Sequence, residues 1–407
     1  MRNLLLIAFL GISLPLFAQT TVGLVAYYPL DSMLTDNRGN TANVGTPFGN
    51  IGYGCGVDDL SLRLDGFNSE VIFLGPVNQE FDTEDISISF YFKTTATAGT
   101  QYLLSKRDSS CINENVFTIR YVPTSRTINC TFTENANKGV SFTEQMSPDA
   151  CWQHLAIVRD DTKFRLYING RFRREGGTLS RLDLENNGLL TLGNALCKGV
   201  SESSFEGLID ELRIYNRALD DDEVAGLFFA PDQIINRDTN IFLGSSVPIS
   251  LTTTCAQEFT WSPSNDVDSP IEPEPVITPS KDGPTVYTVL MTDFASGCTA
   301  KDSIRLNVVD PDDLDCAVVY LPRAFTPNGD NLNDTYGVSN PFAVQEFISF
   351  EIFDRWGNRV FQTASPFDKW DGSFQGQEVN SGVMLYKVRH ICRGEELLTT
   401  GSFTVLR

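Results

Sequence analysis

Only two histidines, His154 and His390, occur in the 407 residues, so catalysis that turns on imidazole has few candidate bases or nucleophile activators. His154 lies in Trp152-Gln153-His154-Leu155-Ala156-Ile157-Val158, on the same strand face as Trp152, Ala156 and Val158, and is expected to be a core histidine with its hydrogen bonds met. Retaining glycoside hydrolysis asks for two carboxylates about 5 Å apart, which one strand supplies when they are spaced two residues apart. The stretch Glu206 to Glu211 comes nearest, yet Asp210 and Glu211 are adjacent and are expected to point to opposite faces. No catalytic site is assigned. Oxygen-rich turns suit hard cations such as calcium instead. Asp36-Asn37-Arg38-Gly39-Asn40 is one, and Asn328-Gly329-Asp330-Asn331-Leu332-Asn333-Asp334 is another. The second lacks the terminal bidentate Glu of an EF-hand loop and is expected to be a structured turn.

Charge and cysteine usage narrow the partners and the compartment. Lys and Arg total 31 against 52 Asp and Glu, a formal charge of −21, and that field argues against a nucleic-acid partner. With 41% hydrophobic and 20% charged residues the chain is expected to be globular, with a length suited to about two to four domains. Arg2 is followed by an apolar run from Leu4 to Phe17 and by the small residue Ala18. This predicts a secretory signal over residues 1–18, with Gln19 as the first mature residue. The run is too short for a membrane span, and no later segment has about 18 uninterrupted apolar residues, so no transmembrane segment is expected after cleavage. All nine cysteines follow the signal, in a compartment where disulfides persist, and their odd number leaves at least one unpaired.

The elements that must position these residues are strands. Ile86, Ile88, Phe90 and Phe92 alternate, as do Phe164, Leu166 and Ile168, which run into the hairpin pair Asn169-Gly170. Both faces of Trp152 to Val158 are largely apolar, as expected of a strand covered on both sides. Asp220 with Glu223 three residues later forms a capping signal for a helix carrying Val224, Leu227 and Phe228, which closes a first section at 22–230. A second section, 233–310, has strand-like segments around Val247, Trp261, Val289 and Leu306 and reads as a small Ig-like sandwich. There Cys255 and Cys298 could staple the two sheets. A third, 314–407, contains the Ile348, Phe350, Ile352 alternation and closes on a strand from Gly401 to Leu406. Cys316 and Cys392 sit at its ends, where a cross-link closes a long loop. In the first section a bridge from Cys111 to Cys197 is expected. The fold class is thus all-β: a two-sheet sandwich, an Ig-like sandwich and a small C-terminal β-sandwich.

Three family resemblances carry function. Leu24-Val25-Ala26-Tyr27-Tyr28-Pro29-Leu30-Asp31, Leu62-Arg63-Leu64-Asp65-Gly66, Leu166-Tyr167-Ile168-Asn169-Gly170 and Gly207-Leu208-Ile209-Asp210-Glu211-Leu212-Arg213-Ile214-Tyr215 resemble the laminin G-like branch of the concanavalin A-like lectin/glucanase domains. That resemblance implies a jelly roll that binds carbohydrate or protein, often with one calcium. It also places Asp210 beside the start of the domain, so Asp31, Asp36, Asn40 and Asp210 become the candidate calcium ligands. Trp261-Ser262-Pro263 and Gly297-Cys298-Thr299-Ala300-Lys301-Asp302-Ser303 resemble PKD-type modules, which implies a spacer. Pro322-Arg323-Ala324-Phe325-Thr326-Pro327-Asn328-Gly329-Asp330, Ile352-Phe353-Asp354-Arg355-Trp356-Gly357 and Trp370-Asp371-Gly372 resemble the gliding motility-associated, type B sorting domain of the type IX secretion system. This implies export to the surface of a Gram-negative bacterium. The expected partners are that machinery and a glycan or a surface protein. The expected function is a secreted or cell-surface binding protein; the alternatives are a protein-binding adhesin and a secreted glycoside hydrolase.

Overall fold

The computed structural model describes residues 20–328, 333–344 and 346–406. The signal expected over residues 1–18 and positions 329–332 of the oxygen-rich run lie outside them. Strands dominate, and the α-helix among the described residues is the short Asp221–Gly226. Its Asp220 side chain accepts from the Glu223 N–H at 2.8 Å while Glu223 accepts in return from the Asp220 N–H, satisfying two otherwise orphaned donors.

The residues up to 237, with 247–277 and 286–305, form one compact unit, and 238–246, 278–285 and the residues from 306 form another. The first contains two eight-stranded sheets. One runs Arg171–Gly177, Lys163–Ile168, Gln153–Asp160, Ile86–Thr94, Glu206–Tyr215, Leu60–Asp65, Ile51–Cys55, with Leu24–Tyr28 also against Glu206–Tyr215. The other runs Lys138–Gln145, Thr127–Asn135, Val116–Val122, Thr100–Lys106, Thr191–Leu192, Glu70–Phe73, Gly45–Phe48, with Glu202–Ser204 against Thr100–Lys106. Ile86, Ile88, Phe90 and Phe92 all point into the core between the sheets, because their two-residue alternation puts every apolar side chain on one face. Phe132 of the second sheet stacks on Phe164 of the first at 4.7 Å between ring centroids. Cys130, the unpaired cysteine, is sealed in the same core. Asn169 and Gly170 both take positive φ, 51° and 69°, the backbone of the expected tight hairpin.

The outer face of the first sheet is also covered. Ala156, Val158, Tyr167 and Tyr215 pack beneath Val224 and Leu227 at the helix, which explains why both faces of Gln153–Asp160 are apolar. Farther along that face Tyr91, Trp152 and Leu208 cluster with Val57.

The cysteines Cys255 and Cys298 do not bond to one another. Glu258–Ser262 and Cys298–Val309 are separated in their sheet by Gly283–Asp293, and two strand spacings, about 9.5 Å, exceed the reach of a disulfide of about 7 Å between Cα atoms. Cys255 instead bonds Cys55, and Cys298 bonds Cys151. Beside these bridges the Lys93 ammonium meets the Asp293 carboxylate at 2.6 Å with both side chains buried. Cys111 bonds Cys197, and Cys316 bonds Cys392.

The second unit contains the sheet Ala324–Phe325, Glu395–Val405, Gly382–Cys392, Glu346–Phe353, Arg359–Thr363. Phe350, Ile352, Trp370 and Phe403 fill its core. The Trp370 indole N–H donates to the Ser373 carbonyl at 2.7 Å, so the Trp-Asp-Gly motif buries its ring without stranding its donor. Trp356 of the other motif is exposed.

Candidate functional site

Alternation gives the second jelly-roll sheet an outward face with its own chemistry. In Val116–Val122 the inward positions are Phe117, Ile119 and Tyr121, and in Thr127–Asn135 they are Ile128, Cys130 and Phe132. Thr118, Arg120, Thr131 and Thr133 are thereby turned outward, with Thr118 directly opposite Thr131 across the strand pair. A bulge between Tyr102 and Leu104 lets Tyr102 join them while Leu103 and Leu104 both stay in the core. These side chains line a cavity of about 580 Å³, a size that suits a small organic ligand. Its rim is held by the Cys111–Cys197 bridge, for Cys197, Asn113 and Gly199 are also at the wall.

Glu202 organises the floor. Its carboxylate accepts from Arg120 Nη1 at 2.8 Å, from the Tyr102 hydroxyl at 2.9 Å and from the Gly199 N–H at 2.7 Å. Burial works to raise its pKa, but these three donors more than offset it and hold the carboxyl below its ordinary range. Burial and the neighbouring Glu202 charge raise the Tyr102 phenol, keeping it a neutral hydrogen-bonding group. Sequence reasoning missed Tyr102, Arg107, Thr118, Arg120, Thr131 and Glu202. The available signal was the polar half of the Val116–Val122 and Thr127–Asn135 alternation, flanked by the expected Cys111–Cys197 bridge.

The four expected calcium ligands do not meet in one place. Asp36 is spent within its own turn: Oδ1 accepts from the Tyr27 and Arg38 N–H groups at 3.0 and 2.9 Å, and Oδ2 from Asn43 Nδ2 at 3.0 Å. Asn40 likewise accepts from the Ala42 N–H at 3.1 Å. Asp31 and Asp210 lie apart from them around the Gly56 to Asp59 turn. Asp31 accepts from the Leu60 N–H at 3.1 Å and Asp210 Oδ2 from the Val57 N–H at 2.8 Å. A Cβ at Gly56 would come within 2.5 Å of Asp210 Oδ2, so glycine is what admits the carboxylate. Asp210 Oδ1 is buried with no hydrogen-bond partner, and burial, followed by the Glu211 charge, pushes the Asp210 pKa up to about 9. Among the described residues no group of three or more His, Cys, Asp or Glu is arranged to hold a metal ion.

Asp210 and Glu211 do not take opposite faces. The ladder to Ile86–Thr94 slips between Asp210 and Arg213, and Glu211 has φ 57°, so a bulge breaks the two-residue period. Ile209 and Leu212 remain in the core, leaving both carboxylates on the far side, where Glu211 pairs with Arg213 and accepts from the Tyr27 hydroxyl at 2.7 Å. Both are buried away from the cavity. His154 is buried between Tyr91 and Phe228, and its Nε2 lies 2.7 Å from Ser89 Oγ.

Residues 68–225 match the model of the Concanavalin A-like lectin/glucanases superfamily, and residues 319–405 match the CHU_C Type IX secretion signal domain. The chain carries both kinds of domain. Its type IX secretion signal domain marks it for secretion or the cell surface. No curated protein matches the sequence. Domain 4 of AbnA, a GH43 extracellular arabinanase from Geobacillus stearothermophilus solved with arabinotriose, is similar at 23% identity over 50% of this chain and 98% of that one, TM-score 0.41. The Ruminococcus gnavus IT-sialidase CBM40 is 14% identical over 45% and 96%, TM-score 0.34. The botulinum neurotoxin serotype C1 binding domain is 12% identical over 94% and 94%, TM-score 0.44. Among the described residues no helix is long and apolar enough to cross a membrane.

Proposed function

We propose that this exported protein binds a saccharide on the outward face of the strands Thr100–Lys106, Val116–Val122 and Thr127–Asn135. The observation that carries the reading is the walled cavity whose lining alternates hydroxyls, an amide, one aromatic ring and fixed charged groups. A sugar presents hydroxyls around an apolar ring, and such a wall offers each of them a partner without ordering loops first. The acidic lining is the single carboxylate Glu202, already engaged by Arg120 and Tyr102, which favours binding over hydrolysis by a carboxylate pair.

Asp31 and Asp210 supply two acidic oxygens and one unpartnered buried atom to the cation reading. Calcium there would draw its further oxygens from backbone carbonyls and water and would pin the Gly56 to Asp59 turn to the first strand.

A glycan array probed with the full mature chain tests the main reading. Binding should appear in wild type and fall by about tenfold or more in Arg120→Ala, which removes both the guanidinium and the anchor of Glu202. An array with no bound glycan, together with capture of a surface protein instead, would replace it with the protein-binding adhesin.

A further inference from the structure

We propose, building on the saccharide reading, that the cavity selects an anionic sugar, one bearing a carboxylate or sulfate, through Arg107. Three side chains at the wall carry charge: Arg107, Arg120 and Glu202. Arg120 and Glu202 neutralise each other at 2.8 Å, so the cavity keeps one positive charge in a chain whose formal charge is −21. Arg107 is 8% exposed. Its Nη2 donates to the Ile112 carbonyl at 3.4 Å, its Nε is buried without a partner, and no carboxylate stands within ion-pair distance of it among the described residues. Asp108, next in the chain, is turned to the Ser110 N–H and hydroxyl.

A guanidinium largely held out of water with no carboxylate partner is costly unless an anion meets its terminal nitrogens from the cavity side. Its planar fork matches a carboxylate or a sulfate, and a desolvated charge-assisted contact is stronger than one between neutral groups. The surrounding Thr118, Thr131 and Thr133 hydroxyls suit the uncharged remainder of a sugar better than an acidic peptide, whose backbone would need a ladder of partners along a strand edge. The Ile112 carbonyl contact alone, as a fastening of the Cys111 loop, would need no position at a cavity wall.

The test compares three oligosaccharides with the same backbone, ending in a glucuronate, a sulfated glucose or a neutral glucose, against the full mature chain by calorimetry. Wild type should bind one of the acidic forms about tenfold more tightly than the neutral form. Arg107→Gln should erase that difference, and Arg107→Lys, which keeps the charge and loses the fork, should recover only part of it. Whether the glucuronate or the sulfate wins identifies the anion. Equal affinity for all three in wild type overturns the inference and leaves the saccharide reading standing, as does a preference that survives in Arg107→Gln. No affinity for any of the three, or binding of a poly-glutamate peptide in their place, overturns both.

Discussion

Lowering the pH from 6.5 to 5 should cost the lectin-like domain a measurable stability increment that belongs to His154. Burial, and after it the charge of Arg213, depress the His154 pKa from 6.5 to about 3. The ring is enclosed by Ser89, Tyr91 and Phe228, so the folded protein holds it neutral while the unfolded chain lets it protonate. Where the unfolded state binds more protons, stability rises with pH. The contribution is therefore fully present above pH 6.5 and is lost as the pH falls toward 3. Between pH 6.5 and 5 the unfolded imidazole goes from half to almost fully protonated while the folded one stays neutral. The difference amounts to about 1.6 kcal/mol, at about 1.36 kcal/mol for each unit of full slope. Other groups titrate in that window too, so the measurement is a comparison. His154→Gln keeps a hydrogen-bonding group near Ser89 but cannot titrate. Urea unfolding of both proteins at the two pH values should show a fall about 1.6 kcal/mol larger in wild type than in the variant, whatever the variant costs at pH 7. Equal falls in the two proteins would refute the assignment of a buried neutral imidazole.

The Lys93–Asp293 pair should be far more costly to break on one side than to replace on both. Lys93 also lies 4.9 Å from the Trp152 ring centroid, so Asp293→Leu strands a buried cation at about 3–5 kcal/mol, whereas Lys93→Met with Asp293→Leu should lose much less; additive losses in thermal or urea unfolding would contradict this. A chelator should lower the melting temperature of the calcium-loaded protein, and Asp210→Asn should remove the sensitivity, since a cation bound only by the folded state at a hundredfold excess over its Kd adds about 2.7 kcal/mol. An unchanged melt in chelator would leave Asp31 and Asp210 as plain turn-holding carboxylates.

The sheets were legible in the sequence because their signal is local. Ile86 to Phe92 declares its buried face by alternation, Asn169-Gly170 declares its hairpin by the backbone each residue tolerates, and Asp220 with Glu223 declares the helix start. The Cys255 and Cys298 partners were not legible, since pairing depends on strand order, and the chain gives no local sign that Gly283–Asp293 would stand between them. Asp210 and Glu211 misled for a related reason: alternation holds only in an unbroken ladder, and here a bulge breaks it, turning Glu211 to the distant Tyr27 hydroxyl and to Arg213 two residues on. The cavity escaped because its residues come from four separated stretches, Tyr102 and Arg107, Thr118 and Arg120, Thr131 and Thr133, and Glu202. Each is an unremarkable polar residue alone. Asp36 looked like a metal ligand because the oxygens that serve a cation also serve backbone N–H groups in a tight turn.

The bridges Cys55–Cys255 and Cys151–Cys298 close chain loops of 200 and 147 residues, so the lectin-like sequence is not a portable module. A fragment ending near residue 230 would leave Cys55 and Cys151 as thiols without mates and Lys93 as a cation without its anion. In an oxidising medium such a fragment is primed to couple with other thiols. The smallest piece that can be grafted into another protein with its chemistry intact therefore extends past Cys298.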